Sequence, residues 1–240
     1  MFRVIDTVDT LITAPVQPPM TVDHARRHIR AISREDDVLI ATWIQAAAQY
    51  FEAQTGRQII TATRELWMDA FPCQFYGGQW WGGPSATRQR IELPHPPLQS
   101  VVSVKYIDST GTEQSYSDGG SPDAPFYQAK APQGPYARRG YVEPIYGNTW
   151  PVARCEGGAV RIQYVSGYGD TPDDVPELVT GILCYLVAHF DTVRAAVHEV
   201  RRGQMLELPY GVRAMMDEFK YSAYPTVTPK QHGYGGGPWL

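Results

Sequence analysis

The side chains able to do chemistry are few here, and their spacing suits no common reaction. His24 and His28 stand four apart, so on a helix they share a face, with Asp23 beside them. A zinc-protease helix needs Glu directly after the first His and a third ligand elsewhere. Here Ala25, Arg26 and Arg27 fill the interval, and the two guanidinium groups repel a cation. The pair therefore reads as surface histidines on an amphipathic helix. His95 lies among prolines, where a rigid sheet corner is expected in place of a general base, and His189 falls inside an apolar helical stretch. Cys73, Cys155 and Cys184 are widely separated, form no C-x-x-C pair and have no histidine in a recognisable catalytic setting. No G-x-S-x-G elbow and no Walker loop occurs, and Gly233–Gly237 lacks the following helix that a dinucleotide loop needs. The carboxylate pairs Asp36-Asp37 and Asp173-Asp174 precede helix starts, where the helix dipole accounts for them. Trp80 and Trp81 with distant acids are the only hint of a cell-wall glycan hydrolase. The expectation is a protein that is not an enzyme, with no catalytic residue, no cofactor and no metal.

Composition points the same way. A hydrophobic share of 43% and a charged share of 19% describe a globular chain with a sizeable core. The net charge of −4 argues against an electrostatic grip on nucleic acid. It leaves room for DNA to pass a weakly acidic wall without sticking. No basic segment followed by an apolar run opens the chain, and no apolar run is long enough to span a bilayer, so no membrane is expected. Three unpaired cysteines fit a reducing compartment.

The elements that must position these residues follow from periodicity. Residues 1–20 alternate weakly and end in Pro15, Pro18 and Pro19, an extended N-terminal arm. Residues 21–57 hold a helical pair: a short helix capped by Thr21 and running to about Ala31, then a longer one from Asp37 to Thr55, stopped by Gly56. Residues 58–170 read as a β insertion with long loops. Its strands are Ile60–Phe71, Ile91–Pro94, Val101–Asp108, Glu113–Tyr116, Tyr141–Ile145 and Val160–Val165, with a loop over 118–140. Gly167 and Gly169 turn the last strand into residues 171–222. There two helices, from about Val175 to Arg194 and from Tyr210 to Tyr221, pack on the first pair. Residues 223–240 are an extended tail. The fold class is α+β: a small helical bundle, two N-terminal and two C-terminal helices, with an inserted antiparallel β region and extended terminal arms.

Two features exceed what one folded chain needs. Phe75, Tyr76, Trp80 and Trp81 crowd a glycine-rich loop, which either covers its own sheet or meets a partner. Tyr224, Tyr234 and Trp239 punctuate a tail too poor in aliphatic residues to fold alone. These seven are the candidate partner-contact residues.

The order of motifs resembles the head–tail connector, or adaptor, family of tailed bacteriophages and gene transfer agents. The resemblance spans about Pro19 to Phe219. It is carried by Pro19–Arg30, the helix opening at Asp37, Thr55-Gly-Arg57, the run from Ile91 to Asp108, Trp150-Pro151, Tyr164–Gly169, Val175-Pro176 and Leu208–Arg213. It implies a homo-oligomer, a dodecameric ring docked beneath the portal protein, extending the DNA channel and joining capsid to tail. The implied partners are copies of itself, the portal, stopper or tail-side proteins, and DNA that passes without sequence-specific binding. The implied location is the virion neck, with assembly in the bacterial host cytoplasm. A stopper-like neck or tail-completion protein is the alternative. Phe75–Pro84 and the 118–140 loop are richer in glycine and aromatic residues than a minimal member needs.

Overall fold

In the computed structural model, residues 7–31, 34–72, 89–116, 126–154, 156–196 and 210–220 are described. Four helices and eight strands appear among them. Helix α1 (Val22–Ile29) starts where the Thr21 hydroxyl accepts the His24 N–H at 3.2 Å. It ends two residues before the expected Ala31 because Arg30 turns left-handed at φ 57°. Helix α2 (Asp37–Thr55) occupies the expected span and stops at Gly56, φ 67°. Arg26 clamps the two together, bonding Asp23 in its own helix at 2.6 Å and Asp37 at the start of α2 through Nε at 3.0 Å. Helix α3 (Glu177–Ala196) follows a short 3-10 turn, Pro172–Asp174, in which the Asp174 carboxylate accepts the Thr171 N–H and hydroxyl. Helix α4 is Tyr210–Phe219.

The four helices share one core. Ile40, Ile44, Ala47 and Phe51 of α2 meet Val179, Ile182, Leu183, Leu186 and Val187 of α3, with Ala25 of α1 and Val212, Met216 and Phe219 of α4. Each helix shows an apolar stripe at three-to-four-residue spacing that no helix buries alone. Cys184 is a small buried core residue, its Sγ 3.5 Å from the Met20 sulfur.

The β region holds two sheets, where one small sheet was expected. Strands β1 (Thr7–Thr13), β2 (Ala62–Met68), β4 (Leu98–Ile107), β5 (Glu113–Tyr116) and β8 (Val160–Ser166) form a sheet ordered β1-β2-β8-β4-β5, antiparallel throughout. Strands β3 (Ile91–Glu92), β6 (Tyr127–Lys130) and β7 (Tyr141–Pro144) form a second, ordered β3-β7-β6. Strand β6 falls inside the stretch 118–140 that periodicity marks as loop; four residues between Pro-rich and Gly-rich flanks give too little alternation to detect. Leu66, Met68, Val104, Val160, Ile162 and Tyr164 from the first sheet pack on Ile91, Leu93, Tyr127 and Val142 around the second. Within the expected N-terminal arm, residues 7–13 form a strand: β1 pairs with β2 from Thr7↔Met68 to Thr13↔Thr63. Both of its faces are largely exposed, so its alternation carries little hydrophobic contrast.

Candidate assembly surfaces

The chain passes between the β region and the bundle three times, through residues 14–21, 57–61 and 166–169, and the last two crossings are bonded to each other. Tyr168 N–H donates to Ile59 C=O and Thr61 N–H to Gly169 C=O, both at 2.9 Å. The proline corner closes over them: Gly167 N–H reaches Pro97 C=O at 2.9 Å and Gln58 N–H reaches Pro96 C=O at 3.1 Å. Gly167 sits at φ 128°, and a Cβ there would lie 2.6 Å from the Thr61 nitrogen. Only glycine fits that approach.

The titratable groups gather at this seam. Arg64 of β2 donates from Nε to Asp9 of β1 at 2.7 Å and from Nη1 to the Gln58 side chain at 3.0 Å. Gln58 Nε2 donates to Glu52 Oε1 of α2 at 2.8 Å, which also accepts the Ile59 N–H at 2.9 Å. Tyr164 of β8 donates its hydroxyl to Asp9 at 2.6 Å, and His95 Nε2 stands 3.3 Å from the same carboxylate. One polar chain thus ties β1, β2, β8, the proline corner and α2.

Burial alone would raise the Asp9 pKa, but hydrogen bonds from His95, Arg64 and Tyr164 outweigh it and hold the carboxyl at about 2. Burial, together with the bond to Asp9, pushes the Tyr164 phenol far above its ordinary range. Burial also raises Glu52. The Asp9–His95 spacing is that of an acid–base dyad, yet a carboxylate this acidic and already bonded to Arg64 and Tyr164 is a poor proton acceptor near neutral pH. The arrangement is a fastening.

Arg57 makes a second fastening. Its side chain is buried, 3% exposed, and Nε donates to the Phe219 carbonyl at 2.8 Å, at the C-terminus of α4. The guanidinium carbon lies 5.6 Å from the Phe219 ring centre, and Nη1 is 3.4 Å from the Tyr168 hydroxyl. Tyr168 in turn donates to the Pro135 carbonyl at 2.7 Å.

The histidines fall as their settings suggest. His24 and His28 are exposed on α1, with the His28 ring edge-on to Tyr185 at 6.0 Å, and His189 is half-buried near Phe190. Among the described residues no three His, Cys, Asp or Glu side chains group as metal ligands, and no helix is long and apolar enough to cross a membrane. A groove of about 490 Å³ lies between residues 14–19 and α2, lined by Leu11, Val16, Ile44, Ala48 and Glu52 among others. Phe75, Tyr76, Trp80, Trp81, Tyr224, Tyr234 and Trp239 all lie outside the described residues, as do Cys73 and Cys155. The seam residues Asp9, Arg64 and Tyr164 and the role of Arg57 escaped sequence reading. One signal was present: Arg64 occupies the same strand phase as the buried Leu66 and Met68, a charge where an apolar residue is expected.

Three solved structures share this arrangement. A chain in the neck of an empty gene transfer agent particle, computed with C6 symmetry, superposes with a TM-score of 0.62 at 18% identity, over 89% of this chain and 95% of that one. A chain in the virion of a native gene transfer agent particle gives 0.60 at 19% identity, over 88% and 94%. A chain in the neck of the native particle, computed with C12 symmetry, gives 0.58 at 18% identity, over 91% and 95%. No family model and no curated protein matches the sequence. At this identity the likeness establishes a common fold, and it runs nearly end to end in both chains.

Proposed function

We propose that this chain is a structural neck protein of a phage-like particle, a head–tail connector that forms a ring beneath the portal and extends the DNA channel. The observation that carries the reading is the near-complete two-way coverage between this chain and chains of gene transfer agent necks. A likeness confined to one common module would leave much of either chain unmatched. The polar seam supports it as well: its charged groups are consumed in fastening elements together, which suits a part that works by shape. The neighbour computed with C12 symmetry favours twelve copies. The seven aromatic residues of the 75–81 loop and the C-terminal tail are proposed as contacts to the portal or to tail-side proteins.

The test is assembly. The full-length chain, mixed with its portal and imaged as particles, is expected to form one ring of twelve subunits against the portal. A chain that stays monomeric and ignores the portal overturns the proposal. A ring bound below another portal-bound ring makes it a stopper.

A further inference from the structure

The first sheet ends on both sides in an edge strand, β1 and β5, and no described residue pairs with the outer side of either. Proteins guard such edges with lysine, proline, bulges or inward charges, since an unpaired row of N–H and C=O groups recruits another strand. Strand β1, Thr-Val-Asp-Thr-Leu-Ile-Thr, contains no lysine, arginine or proline, and its irregularity falls between Leu11 and Thr13, leaving Thr7–Leu11 in regular register. Its one charge, Asp9, is no guard. An inward charge protects an edge because an added strand would bury it unpaired, and Asp9 is already paired with Arg64 and bonded to Tyr164. Val8, Leu11 and Ile12 are meanwhile 56%, 45% and 50% exposed. On β5 the one charge, Glu113, is drawn back over its own sheet by Lys105 at 3.1 Å and Arg161 at 3.6 Å. Among the described residues both edges are therefore open in hydrogen bonding, and the one charge on each strand is already paired.

We propose that β1 of one copy takes up β5 of the next, so that neighbouring subunits join through a continuous sheet; this rests on the ring reading above. Two different open edges on opposite sides of one sheet are what a head-to-tail contact requires, whereas a twofold contact would use one edge twice. Strands β1, β8 and β5 run in one direction and β2 and β4 in the other. A neighbour carried round an axis along the strands keeps that direction, so the new pair is parallel over up to the four residues of β5. On the outer face of the sheet Val8 and Thr10 would then stand beside Glu113 and Ser115, with Ile12 in the irregular part of the strand next to them.

Cysteine pairing tests this in the assembled protein. Val8→Cys, Thr10→Cys and Ile12→Cys are each combined with Ser115→Cys, covering the alternative registers, and oxidised beside the single variants and the unmodified chain. At least one double variant is expected to give a ladder of linked chains on a denaturing gel, at least tenfold above every single variant. Ile12→Lys, at an exposed position, is expected to lose the ring while keeping its helical and strand signal by circular dichroism. Rings that form with no crosslink in any register, and that tolerate Ile12→Lys, overturn the strand contact and leave the ring reading intact. Dimers from Thr10→Cys alone overturn it in favour of β1 pairing with itself, and adducts to portal alone overturn it in favour of a portal strand. A chain that forms no species above monomer, with portal or without, brings down both.

Discussion

Arg57 is a cation shut away from water, and no carboxylate among the described residues pairs with it. What holds it is the carbonyl end of α4 and the face of Phe219. A planar guanidinium serves both at once, which an ammonium cannot. Arg57→Ala is expected to lower stability by about 1.5–3 kcal/mol, the range for a hydrogen bond to a charged group, and Arg57→Lys to recover little of it; chemical denaturation measures both. Asp9 makes a pH prediction. Its folded pKa of about 2 lies below its ordinary 3.8, so its stabilisation is complete above about pH 4 and disappears as the pH falls through 2. The amount is on the order of 1–2 kcal/mol, allowing for its partial exposure. Hydrogen exchange should show the β1 amides losing protection across that interval, and Asp9→Asn should abolish the acid-dependent part.

Among the elements, α3 packs against all three other helices. Leu183 is fully buried between the other helices, so Leu183→Ala is expected to cost about 2–5 kcal/mol, read from the shift in denaturation midpoint. The helices were legible in the sequence because a stripe such as Ile40, Ile44, Ala47 and Phe51 repeats over about three turns of a helix that ends at a glycine. Strands β4 and β8 were legible for the parallel reason, since Val160, Ile162 and Tyr164 alternate against polar neighbours. Strand β1 was readable only as extended chain, because an edge strand exposed on both faces has no inside to declare. Strand β6 was too short to show a period. The seam was hidden for another reason: Asp9 and Tyr164 are 155 positions apart, and nothing local to either announces the other.

For the whole molecule, the surface balance matters more than any one site. With a net charge of −4, the chain carries no net excess of positive charge to hold duplex DNA, and neither would the proposed ring of it. Fluorescence anisotropy at physiological salt is expected to show no binding of a duplex at micromolar protein, whatever its sequence. Tight, salt-sensitive binding would point to a basic surface and to a role in gripping DNA. The paired crossings at 57–61 and 166–169 have a further consequence. Because the excursion from β2 to β8 leaves the bundle and rejoins it at one spot, with only β1 added to its sheet from before α1, its loops can lengthen, shrink or be exchanged while the helices keep their registration. A lineage can thus refit the outside of such a part to a new neighbour one excursion at a time, with the bundle that carries it unchanged.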